Sequence, residues 1–173
     1  MRDGPVTTED RTLVMYGDGV RDAARRMLPK LPDACFVPVG RGRLHEAVKR
    51  GLAQVVLVAS MDEQLAFLSG ADADGGGGAG PGIVESITLD MDGGAALAAE
   101  VAAAPTPGDA YALWDAAGRL GPCGRELCRR TAGEVERLAA EAAGAAASPI
   151  AAQVVLVDAA GERMVGMYGR MAR

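Results

Sequence analysis

The chain has 173 residues, enough for one full domain with a sizeable core, and none of its apolar stretches is long enough to span a membrane. Its net charge of -5 argues against a general binder of nucleic acid or anionic membrane, since either needs surplus Lys and Arg. The first twenty residues carry Arg, Asp and Glu where a signal peptide needs an apolar centre, so a cytoplasmic protein is expected.

Residues 1 to 11 read as a polar lead-in. Thr12 to Tyr16 then reads as a strand, followed by a turn at Gly17-Asp18-Gly19. Val20, Ala24, Met27 and Leu28 give a helix that stops before Pro29. A strand, a glycine turn and a helix start could cradle an anion, but the full G-x-G-x-x-G pattern is absent because Asp22 stands inside it. An acid there caps the helix and repels phosphate, so a plain β-to-α turn is favoured over a nucleotide site.

The second strand is expected at Ala34 to Val39, with Cys35 a small buried residue in it. Gly40-Arg41-Gly42-Arg43 follows as a glycine-rich loop. Arginines at the carboxyl end of a strand are well placed to meet an acidic ligand, and a solvated loop is the alternative. Leu44, Ala47, Val48 and Leu52 recur at helical spacing, and Gly51 sits where that helix would close. Gln54 to Val58 is an unbroken apolar strand ending at Ala59-Ser60. Met61, Leu65 and Leu68 form a further helix up to Gly70, with Asp62 and Glu63 suited to its amino-terminal dipole. A continuous Val/Leu strand between helices belongs inside a parallel sheet covered on both faces.

Residues 71 to 82 are glycine-rich and read as a flexible loop or linker. The Asp72/Asp74 spacing does not make a calcium loop, because Ile83 stands where the twelfth-position Glu should fall. Ile83 to Met91 alternates in part and is expected as an edge strand. Asp90-Met91-Asp92-Gly93 is similar to the nucleophile motif of haloacid dehalogenase phosphatases. Both lysines, Lys30 and Lys49, lie upstream, and no acid pair follows in suitable context, so a strand end and a helix cap is the better reading.

From Ala95 the chain reads as helical. One helix runs to Ala104, and a second has Ala110, Leu113, Trp114, Ala117 and Leu120 as its apolar face. A longer helix follows the break at Gly121-Pro122 and runs through Leu127, Thr131, Val135, Leu138 and Ala142. Val154 to Val157 is a strand, and Asp158 to Gly161 turns it into a hairpin with Arg163 to Tyr168.

These elements predict a Rossmann-like three-layer α/β fold with a mostly parallel sheet, a helical insertion and a carboxyl-terminal β-hairpin. A single domain is expected, with β/α units at 12–70, the loop at 71–82, a mainly helical section at 83–149, and strand plus hairpin at 150–173. No metal is predicted. Cys123 and Cys128 are five apart, which does not place both thiolates on one helix face, and His45 reads as a solvated surface residue.

Four segments together resemble the carboxyl-terminal part of the CbiD family, the cobalt-precorrin-5B C(1)-methyltransferases of cobalamin synthesis. These are LVMYGDG at 13–19, LHEAVKRGLAQVVLVAS at 44–60, LCRRTAGEVERLA at 127–139 and AAQVVLVDAAGERMVG at 151–166. The family's Gly-His-x-Gly-Lys after the third strand is replaced by Ala59-Ser60-Met61-Asp62-Glu63. Its Thr-His-Ser and Ala-Asp-Ala-Arg segment is replaced by the glycine-rich loop, and its amino-terminal domain has no counterpart, so no catalytic residue carries over.

The resemblance implies S-adenosylmethionine, with Gly17, Asp18, Gly19 and Ser60 at the cofactor edge and Arg41 and Arg43 meeting a corrinoid polycarboxylate. The alternative expectation is a non-catalytic module completed by a partner chain or a second copy. A Rossmann-like nucleotide binder is the weakest of the three readings.

Overall fold

The computed structural model describes residues 11–70 and 80–172. Its centre is a five-stranded sheet built from β1 (Thr12–Tyr16), β2 (Phe36–Pro38), β3 (Gln54–Ala59), β4 (Ala151–Val157) and β5 (Met164–Gly169). The spatial order is β2-β1-β3-β4-β5; the first four strands are parallel and β5 returns antiparallel to β4. The expected α/β class, with a mostly parallel sheet and a closing hairpin, is what the chain adopts.

The unbroken apolar runs follow from burial on both faces. Along the three central strands, Leu13, Met15, Val55, Leu57, Val154 and Leu156 point into one core. Val14, Val56, Val58, Val155 and Val157 point into another. The two-residue period therefore sorts one Val/Leu run into two opposite layers. The smaller core is covered by α1 (Arg21–Met27), through Ala23 and Ala24. The larger is covered by α2 (Gly42–Lys49), α3 (Met61–Ser69), α4 (Gly80–Asp90), α5 (Ala95–Ala103), α6 (Pro107–Ala116) and α7 (Leu120–Ala143). Helices on both sides of the sheet make three layers.

Several expectations are corrected. Residues 83–91 are not an edge strand: 83–90 are the body of α4, because Val84, Ile87 and Thr88 are buried at helical spacing, and Met91 is in the turn after it. Thr88 keeps its hydroxyl satisfied there by donating to the Val84 carbonyl at 2.7 Å. Asp90 therefore ends a helix rather than a strand, and it pairs with Arg130 at 2.6 Å. The strand expected from Ala34 begins two residues later: Asp33–Cys35 form a 3-10 turn, and Cys35 is half-buried rather than buried. Gly121 and Pro122 do not break the chain but lie in the first turn of α7, where a missing N–H costs nothing. Of the expected loop at 71–82, residues 71–79 lie outside the described part, and the remainder starts α4.

Polar tethers fix the insertion to the sheet. Trp114 is fully buried, and its Nε1 donates to Thr88 Oγ1 at 2.9 Å, joining α6 to α4. Gln64 is also fully buried; its Nε2 reaches the carbonyls of Ala59 and Val155 at 3.4 Å each, and its Oε1 accepts from Thr131 Oγ1 at 3.0 Å. Among the described residues no buried side-chain nitrogen or oxygen lacks a partner.

The thiols differ sharply. Burial pushes Cys128 up to about 12 and Cys123 to about 11, the second only partly offset by Arg119. A thiol-reactive disulfide reagent at about pH 8 is therefore expected to modify Cys35 in the native protein and the other two only after unfolding. Fast native reaction of all three would contradict this packing.

Candidate functional site

The order β2-β1-β3-β4 places a topological switch between β1 and β3, where successive connections leave toward opposite faces. In open α/β sheets the crevice outside the carboxyl ends at such a point is where ligands bind. Four connections meet along this edge: Gly17–Gly19 after β1, the residues after Pro38, Ser60 after β3, and Asp158–Gly161 after β4.

At the switch point the β1 turn is tied directly to β3, as the Gly17 N–H donates to the Val58 carbonyl at 2.9 Å. Ser60 caps α3 in an extended conformation, and its hydroxyl donates to Glu63 Oε1 at 3.3 Å. The other carboxylate oxygen of Glu63 accepts the Asp18 N–H at 2.7 Å. Glu63 thus bridges the two sides of the crevice. A Cβ on Gly17 would collide with the Glu63 carboxylate, so glycine is the residue that lets the carboxylate settle over the turn. Gly19, at φ +74°, completes the reversal into α1.

Three of the expected cofactor residues, Gly17, Asp18 and Ser60, are therefore brought together by a fourth that sequence reasoning left as a helix-dipole acid. Its carboxyl is raised above its ordinary value, first by burial and then by the nearby Asp18 and Asp62, against the hydrogen bonds from Asp18 and Ser60. The crevice is anionic, and a phosphate there would meet three carboxylates.

The two arginines separate. Arg41 turns inward: its guanidinium donates to the Phe67 carbonyl and to Glu134 Oε1 at 3.0 Å, and lies 5.4 Å from the Phe67 ring centroid. It ties α2 to α3 and α7. Arg137 first, and Arg41 after it, hold the Glu134 carboxyl below the usual carboxylate range. Arg43 lies in the first turn of α2, is exposed, and makes no ion pair among the described residues. His45 is likewise exposed.

The far end of this edge is closed by the β4–β5 turn. Asp158 Oδ1 accepts the Glu162 and Arg163 N–H groups, which lower its pKa, and a Cβ added to Gly161 would lie 3.2 Å from the Gly19 carbonyl oxygen, so the turn approaches the β1 turn closely. Tyr111 of α6 faces the same turn; burial, then Asp158 and Asp115, raise its pKa. A lone tyrosine in an Ala-rich helix was the only sequence signal for it.

The chain is 35% identical over 179 residues to a protein of Salinispora tropica named cobalt-precorrin-5B C(1)-methyltransferase. The chain is a divergent relative of the CbiD family. A like-named protein of Salinispora arenicola is 36% identical over the same length, and one of Rubrobacter xylanophilus 34% over 146 residues. The two Salinispora matches cover 95% of this chain but 43% of each relative, so the CbiD-like unit described here spans under half the length of the proteins it resembles. No family model and no solved structure matches. Among the described residues no cluster of His, Cys, Asp and Glu is arranged to hold a metal, and no helix is long and apolar enough to cross a membrane.

Proposed function

We propose that this chain acts in cobalamin synthesis as a CbiD-type protein, binding S-adenosylmethionine in the β1/β3 crevice and a corrinoid polycarboxylate at the rim beside α2. The observation that carries this reading is the 35% identity, sustained over 95% of the chain, to a relative named for that methyl transfer.

The residues present suit the cofactor. S-Adenosylmethionine carries a sulfonium, an ammonium and one carboxylate, so it is net positive, and when bound it supplies an electrophilic methyl. Asp18, Asp62 and Glu63 offer negative charge to such a cation, whereas the same carboxylates disfavour the phosphates of a dinucleotide. Gly19, with open space where a Cβ would stand, lets the ligand approach the backbone, Gly17 admits the Glu63 carboxylate over the turn, and Ser60 orients Glu63 through its hydroxyl. Arg43 is the exposed cation placed to meet substrate carboxylates, while Arg41 supports it by holding α2 against α7.

Calorimetric titration with S-adenosylmethionine tests this reading. Binding is expected for the native chain and not for ATP, and Glu63→Gln is expected to weaken it at least tenfold, about 1.4 kcal/mol. Absence of heat and of thermal protection with millimolar S-adenosylmethionine would remove the cofactor assignment.

A second reading, a subunit whose site is completed by another chain, is supported by the 43% coverage of the Salinispora relatives. It keeps the same crevice but needs a docking surface.

A further inference from the structure

β5 ends the sheet, and its outer edge pairs with nothing among the described residues. Such an edge is an open template for another strand, and folded proteins ordinarily blunt it with charge, proline or a covering element. Here the opposite holds. Met164, Met167, Tyr168 and Met171 are 50%, 40%, 38% and 59% exposed, and no charged residue interrupts Met164–Gly169. These are four of the five large apolar side chains exposed in the described part, gathered within eight residues.

We propose that β5 is a docking edge, and that its occupant is an extended strand from the part of a CbiD-type protein outside the matched region, apolar in its middle and flanked by carboxylates. Backbone pairing along β5 would supply the affinity, and the flanking charges the choice of partner.

Charge selects this occupant over a second copy. Arg163 and Arg170 flank β5, with side chains 78% and 63% exposed; Arg170 is paired with Glu136 at 3.0 Å, and Arg163 lies 3.9 Å from Asp158. In the antiparallel pairing of β5 with itself centred between Gly166 and Met167, Arg163 would stand opposite Arg170 at both ends, and neither arginine would gain an opposite charge beyond the acid it already has. A strand with acids at its ends would meet opposite charge instead, chiefly at Arg163, the more exposed and more loosely paired of the two. The adjoining surface carries three arginines to one acid, Glu136. A groove of about 720 Å³ runs between α7 and β5, where Ala132 and Gly133 leave the helix without bulk, and Arg125 lines it beside Tyr168 with Arg129, which Glu126 already holds. Arg125 makes no ion pair among the described residues, so it is available to a partner carboxylate. The coverage points the same way: more than half of each Salinispora relative lies outside the match, so in those proteins this unit has further chain to contact.

The test uses the full chain, with overlapping synthetic peptides that tile the unmatched part of the Salinispora tropica relative. One acid-flanked, strand-forming peptide is expected to bind. Met167→Lys, which blunts an exposed edge position, should weaken it at least tenfold, and Arg163→Gln/Arg170→Gln should weaken it and flatten its salt dependence. Unchanged thermal unfolding of both variants would show that the loss is local. The proposal is overturned if no peptide binds, if binding is indifferent to both variants, or if light scattering finds a dimer that Met167→Lys dissociates, which would make a second copy the occupant.

Discussion

Replacing Trp114 by alanine is expected to cost about 3–5 kcal/mol of folding stability, the usual range for emptying a fully buried aromatic site. The side chain has no exposed surface and lies in the larger core, where α4 and α6 pack over α3 and α7. Its indole N–H also satisfies Thr88 of α4, so truncation leaves a void and removes a cross-helix bond together. Against a typical domain stability of about 5–15 kcal/mol, that is a large fraction of the total. Trp114→Phe keeps most of the volume and loses the hydrogen bond, while Thr88 retains its bond to Val84, so a cost of about 1–2 kcal/mol is expected. Denaturant unfolding followed by circular dichroism measures both. A cost below about 1 kcal/mol for the alanine variant would mean that the insertion is not a packed layer of the fold.

Gln64→Glu is expected to be comparably damaging, and in a pH-dependent way. Gln64 has no exposed surface, and its Nε2 faces two carbonyls and the Cys128 sulfur. A carboxylate there turns a donor into an acceptor among acceptors and buries an uncompensated charge, a change worth about 3–5 kcal/mol. The folded state would hold the new carboxyl protonated well above the unfolded value of about 4.3, so the deficit should be largest at neutral pH and shrink as pH falls toward that value. Gln64→Met retains the volume, and Thr131 can still donate to the Leu127 carbonyl, so a cost under about 1.5 kcal/mol is expected. If both variants cost the same at every pH, position 64 is not the dry polar junction described.

The parallel sheet could be read from the chain because its central strands are buried on both faces. Val55–Val58 and Val154–Val157 are unbroken apolar runs for that reason, and Gly51 and Gly70 end their helices at positive φ. Residues 83–91 misled because Ile83, Ile87 and Thr88 are β-branched and partly alternate. The helix is decided by what Val84, Ile87 and Thr88 pack against, which lies far away in sequence.

The site was legible in the same proportion. The glycine turn and Ser60 could be placed at strand ends by order alone. Glu63 could not be placed over the Gly17-Asp18 turn, since its bond to the Asp18 N–H joins residues 45 apart. Nor could spacing say that Arg41 turns toward Glu134 while Arg43 stays in solvent, because Glu134 is a further 93 residues along the chain from Arg41.

Backbone amide NMR of the labelled chain during addition of S-adenosylmethionine tests the central claim most directly, that the ligand enters at the switch between β1 and β3. Saturable shifts are expected at Gly17, Asp18, Gly19, Ser60 and Glu63, with α5 and the β5 edge unmoved. Shifts confined to the α7/β5 groove, or spread without saturation over the surface, would contradict it.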